Sequence, residues 1–271
     1  MICMIRLNDF LDRLSIIKVL SFFLFLILVL TLIPMILHLN MGNLVFKFIL
    51  YGIMLIFFAY KLNGIDFDEI SFKDALRNEY DSIFKVSDIY HISFIVISNI
   101  LFVSAIYFVL KYLSSLSIIG FDSPLFGDFS SVSALILVLY FITVVILSPI
   151  IEELLFRGIF LRRFNKELDN LTLAILISSV LFGICHNFGG ILGAILFGIC
   201  VSILYVKSKN ILVPIFAHFL NNLLSFLLGV GGIERLIQSN SIVIILIIIL
   251  AIVSNFILFK AIFSEWPKKM E

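Results

Sequence analysis

Eight apolar runs, each close to the thickness of a lipid bilayer, constrain this chain more than any other feature of its sequence. A hydrocarbon core of about 30 Å takes roughly 20 residues of α-helix to cross. The runs fall at 14–38, 44–60, 91–113, 133–163, 171–187, 190–206, 210–228 and 240–263. They are continuous rather than alternating, which excludes the short two-sided strands of a membrane barrel. The chain is 62% hydrophobic and 14% charged, against about 45–50% and about 25% for a soluble domain, and no single core can hide that excess. The expected fold is all-α, a polytopic membrane protein of about eight transmembrane helices. The second run is short and the fifth barely long enough. The first, Leu14 to Leu39, is longer than the apolar part of a signal peptide and no small-residue cleavage site follows it, so it reads as a retained helix.

Lysine and arginine set the orientation. With the N-terminus inside, eight crossings leave only Lys47, Lys111 and Arg235 towards the outer face, and put the other 16 of 19 basic residues inside. The expected topology is N-in and C-in. Three regions follow within one structural domain: helices 1 to 3 with the loop 61–90 (residues 1–130), a core rich in intramembrane polar groups (131–230), and a last helix and tail (231–271). The loop 61–90 interleaves Ile70, Phe72, Ala75, Leu76, Ile83 and Phe84 with charges of both signs, the pattern of a helix lying on the inner surface or of a solvated loop. A net charge of +1 excludes a nucleic-acid footprint, and Cys3, Cys185 and Cys200 are too scattered for a disulfide framework or a CxxC zinc motif. In the sixth run Gly190, Ala194 and Gly198 share one helical face, which suits close helix packing.

The fourth run contains SPIIEELLFRG, with three ionisable groups in six residues. Arg162 and Arg163 mark the inner surface, so Glu152 lies about ten residues, or roughly 15 Å, deep. A carboxylate at the bilayer centre costs about 2.5–3.5 kcal/mol on insertion scales, so each such group needs a partner, a cavity or water. Glu153 and Arg157 are four apart with the acid first, the favourable order for an intrahelical ion pair. Glu152 points elsewhere and is left over. Counted from their own helix ends, His186, His218 and Asn222 reach overlapping depths of roughly 22, 12 and 18 Å. Helices four, five and seven can therefore bring Glu152, His186, His218 and Asn222 into one cavity.

A carboxylate and an imidazole sharing a water can take its proton as it attacks a carbonyl carbon, while a second imidazole and an amide donate to the oxyanion. His218 and Asn222, four apart, share a face and form such a pair. Serine schemes lack a signature: Ser148, Ser178 and Ser179 are not set in a GxSxG elbow. Cys185 adjoins His186 in sequence, but neighbours diverge by about 100° on a helix. Glu152, His186 and His218 would also make a His₂Glu zinc set, although HExxH is absent. The reading is therefore metal-free, with zinc as the alternative.

These residues also form three ordered motifs: EExxxR (Glu152, Glu153, Arg157), FxxxH (Phe182, His186) and HxxxN (His218, Asn222). In this the chain resembles the CAAX proteases and bacteriocin-processing enzymes of the CPBP or Abi group, which include the Ras-converting prenyl-protein endopeptidase. The likeness covers about residues 130–230. It implies an eight-helix intramembrane protease with a cavity open to the cytoplasm, Glu152 and His186 activating water, and His218 and Asn222 holding the oxyanion. Glu153 and Arg157 would support them and Phe182 would shape the cavity. The implied substrate is a membrane-associated peptide or a lipidated protein tail. Some relatives act in bacteriocin immunity or as scaffolds, which keeps a non-proteolytic membrane interaction protein as the rival. A proton or ion transporter is the third reading, disfavoured because no two halves look like an inverted repeat.

Overall fold

The computed structural model describes residues 7–38, 41–63, 77 and 86–268. These form helices and no strand. The surface helix suggested for the loop 61–90 falls mostly outside the described residues. A short α1 (Leu7–Asp12) precedes α2 (Ile16–Ile36), α3 (Asn43–Asn63) and α4 (Val86–Ser115). Then come the long α5 (Ala134–Leu168), α6 (Leu171–Ile184), α7 (Ile191–Ser208), α8 (Leu212–Val230), the short α9 (Ile233–Gln238) and α10 (Ser241–Ser264). Seven of them are long and apolar enough to cross a bilayer. Polar N-caps set several starts: Ser15, Ser133, Asn170 and Asn240 each accept a backbone N–H of the first turn.

The fifth run departs from expectation. Its helix stops at Ile184 rather than 187, giving 14 residues and a length of about 21 Å, less than a full crossing. The chain can stop there because its last carbonyls find side-chain partners: Cys185 Sγ donates to Leu181 O at 3.3 Å, and His186 Nδ1 lies 2.9 Å from Phe182 O. His186 thus sits on the connection after α6, not within it. At Gly189 a β-carbon would meet the Phe121 ring at 2.9 Å, so the turn back into α7 needs glycine.

One apolar core draws on α1 to α8 and α10. Around it, α10 buries Ala251, Asn255, Leu258 and Ile262, one helical stripe, and leaves Ile242, Ile245, Ile249, Phe256 and Phe263 exposed. Such a belt suits lipid rather than water. Asn255 on that stripe donates from Nδ2 to Ser98 O on α4 at 3.1 Å, fixing α10 to the bundle. In α7 the close approaches fall at Gly193, where a β-carbon would stand 2.3 Å from Val103 of α4, and at Gly198, where it would stand 3.1 Å from Ser179 of α6. Gly190 has room. Between α4 and α5 the loop 116–133 is pinned by Glu234 of α9, which accepts from Leu125 N at 2.7 Å and Tyr107 Oη at 2.5 Å. Further along, Ser130 donates to Asp128 Oδ1 from its Oγ and N–H, holding that carboxyl below its ordinary range.

Candidate active site

The site begins with a proline. Pro149 has no N–H to give, and the seven residues before Ser148, Phe141–Leu147, wind as a π-helix; a second π stretch, Leu154–Leu161, follows the α-helical Ser148–Glu153. In the wider winding Ser148 N–H reaches back five residues to Thr143 O. The next carbonyl, Val144 O, would look for its donor at residue 149, which is proline. Asn222 of α8 supplies the missing hydrogen, its Nδ2 lying 2.8 Å from Val144 O. Similarly Ser178 of α6 donates to Phe156 O in the second π stretch at 2.8 Å. The wide turns are held by side chains from neighbouring helices, and they carry the two glutamates between them.

Glu153 and Arg157 form the intrahelical pair that their spacing implies. Arg157 Nη1 lies 2.9 and 2.8 Å from the two Glu153 oxygens, and both side chains are fully buried. Arg157 also donates through Nη2 to Gly198 O at 3.0 Å, and its guanidinium stands 4.7 Å from the centre of the Phe182 ring. A β-carbon at Gly198 would come within 3.2 Å of Nη2, so the glycine makes room for the arginine. Glu153 has a further partner that spacing does not reveal: its Oε1 accepts from His218 Nδ1 at 2.8 Å. A carboxylate can only accept here, so the Nδ1 hydrogen is committed and the neutral ring presents its lone pair at Nε2.

Glu152 is less isolated than its position in the sequence implies. Its Oε1 accepts from Tyr51 Oη of α3 at 2.8 Å and from Ser148 Oγ at 2.5 Å. Its Oε2 stands 4.0 Å from His218 Nε2. That gap is too long for a hydrogen bond and suits one water bonded to both atoms. Tyr51 is the residue that sequence reading missed, and the signal was there: between Lys47 and Tyr60 it is the one polar side chain of the second run. Tyr51→Phe is expected to keep the fold, because only a hydroxyl is lost, and to lower turnover about tenfold by freeing Glu152 to rotate. Turnover and melting temperature measured together check this.

His186 has its Nδ1 on Phe182 O, which again leaves Nε2 free, and its ring lies 4.8 Å from the Phe182 ring. Phe182 stands edge-on to His218 as well, at 5.5 Å, so one buried phenylalanine packs both imidazoles. A cavity of about 150 Å³ is bounded by Phe182, His186, His218, Asn221 and Asn222 with Asn99 of α4. The cavity thus takes in His186, His218 and Asn222, whereas Glu152, expected in the same cavity, is not part of its lining and meets the group through His218 Nε2. The structure also turns Asn222 towards Val144 O, so that one amide hydrogen is engaged. Among the described residues no three His, Cys, Asp or Glu side chains are gathered closely enough to hold a metal ion.

A family model for type II CAAX prenyl endopeptidases, Rce1-like, matches residues 134–224, which include every motif residue. A Bacillus subtilis (strain 168) protein named "Putative membrane peptidase YdiL" is 35% identical over 97 residues, 35% of this chain. The match spans 39% of that protein's length. No solved structure matches the chain. The three motifs lie complete and in order inside the segment that is similar to the Rce1-like endopeptidases, and the chain spans well under half the length of the curated relative it matches.

Proposed function

We propose that the protein is an intramembrane endopeptidase of the glutamate type, cutting a membrane-associated peptide or a lipidated CAAX tail. The observation that carries this reading is Glu152: one oxygen held by Tyr51 and Ser148, the other facing His218 Nε2 across 4.0 Å. A water in that gap gives a proton to Glu152 as its oxygen attacks the scissile carbonyl carbon, and the carbon–nitrogen bond then breaks as Glu152 returns the proton to the leaving amine. Glu153 keeps His218 turned towards the water. The second amide hydrogen of Asn222 is the donor left for the oxyanion, while His186 Nε2, a lone pair in the neutral ring, can only accept, from water or a peptide N–H. A second reading, zinc at Glu152, His186 and His218, would require these side chains to move together, because no three such groups among the described residues are gathered closely enough to hold a metal ion. Both imidazoles have Nδ1 on an acceptor and Nε2 free, as ligand histidines do.

The test is incubation of the purified protein with a farnesylated CAAX peptide and a panel of membrane-protein tails, with products identified by mass spectrometry. Cleavage that survives stringent chelation supports the metal-free route, and cleavage lost on chelation and restored by zinc supports the second. Binding without any cleavage would instead favour the non-proteolytic interaction protein. We place the cavity mouth on the cytoplasmic side, in an N-in and C-in topology. Cys185, exposed beside His186, reports on this, because a membrane-impermeant thiol reagent would label it only from the side on which the mouth opens.

A further inference from the structure

The amide chain that starts at Val144 O has a direction, and its far end is Asn99, a residue that bounds the cavity. A carbonyl only accepts, so Asn222 must turn Nδ2 towards Val144 O and present Oδ1 backwards. Asn221 Nδ2 lies 3.5 Å from that oxygen, and Asn99 Nδ2 lies 3.1 Å from Asn221 Oδ1. Each amide therefore donates towards α5, and the last one, Asn99, is left with an unused acceptor. Its Oδ1 has no hydrogen-bond partner among the described residues, although Asn99 is only 5% exposed. Asn99 bounds the same cavity as His186 and His218. The facing position on α7 is Gly193, whose missing β-carbon would have stood 3.7 Å from this oxygen.

A buried acceptor without a donor is costly, and native structures rarely keep one unless something else completes it. No donor of the relay reaches this oxygen, because each amide turns its Nδ2 towards α5 and away from Asn99 Oδ1. We infer that Asn99 Oδ1 is a substrate-binding group that accepts a hydrogen bond from a backbone N–H of the peptide lying in the cavity. This deepens the endopeptidase reading and rests on it for the identity of the ligand. It assigns to α4, in the half of the chain without motifs, one subsite that fixes the peptide's register relative to Glu152. A peptide amide suits the oxygen better than a carboxylate or carbonyl, which would bring a second acceptor against it.

The test is a chemical cycle on the full-length protein. A farnesylated CAAX peptide and copies N-methylated at one backbone nitrogen at a time are bound to the cleavage-silenced Glu152→Gln protein, with Asn99 intact or changed to Leu or Asp. With Asn99 intact, methylation at one nitrogen should weaken binding about tenfold. Asn99→Leu should bind that peptide and its parent alike, whereas Asn99→Asp, which keeps an acceptor, should still discriminate. Melting temperatures confirm that each variant is folded. Discrimination of equal size in Asn99→Leu, or none at any nitrogen, overturns the subsite. Cleavage by the protein with Glu152 intact is followed in parallel. Discrimination without cleavage sinks the protease reading and leaves the subsite, and cleavage without discrimination does the reverse.

Discussion

Glu152→Gln is expected to lower peptide cleavage at least a hundredfold while leaving the melting temperature within a few degrees. A general base contributes about 10²–10⁴ to rate. Glutamine keeps an oxygen for Tyr51 and Ser148, which hold the native side chain at 2.8 and 2.5 Å, so the geometry persists while the proton acceptor is gone. The measurement is turnover of the farnesylated peptide beside a thermal melt of the same preparation. A variant that keeps turnover within a few-fold of the parent would show that another group takes the proton. Glu152→Ala is the less informative change, because it also removes the packing of the carboxylate against α3.

Arg157→Leu should unfold or strongly destabilise the protein, by about 3–5 kcal/mol, because it leaves Glu153 charged and without its arginine in a fully buried place. The double variant Glu153→Leu, Arg157→Leu removes both charges, and replacing a buried pair by apolar groups is often close to neutral. Most of the lost stability should return in it. Activity should not, since His218 Nδ1 then has no acceptor and the ring is free to turn away from Glu152. Thermal melts and turnover on the two variants separate the roles. A double variant as active as the parent would mean that Glu153 serves the fold alone.

The sequence made the crossing helices legible because a bilayer demands long apolar runs, and their ends were marked by caps such as Asn170 and Asn240. It also made the Glu153–Arg157 pair legible, since that contact lies within one helix and follows from a four-residue spacing. What it hid are contacts between helices. Nothing in the spacing of Tyr51 or Asn99 says that α3 and α4 bring them to α5 and α8. The assignment of Asn222 as an oxyanion donor assumed a free side chain. The π winding before Pro149, which consumes one of its hydrogens, depends on backbone geometry that periodicity does not reveal. The length of α6 was misjudged for a related reason: apolar letters continue to Cys185, but side-chain capping ends the helix sooner.

That short helix also bears on how water reaches a hydrolytic site inside a membrane. Leu173, Leu176, Ile177, Val180 and Ile184 leave one side of α6 open to lipid, and Cys185, His186 and Asn187 are exposed just beyond it. A stretch of about 21 Å against a hydrocarbon layer of about 30 Å is a hydrophobic mismatch, and the bilayer answers a short helix by thinning beside it. Headgroups and their hydration are then expected to descend along this flank towards His186. On the proposed endopeptidase reading, a local dent in the membrane is the expected route for water, so turnover should depend on bilayer thickness as well as on residues.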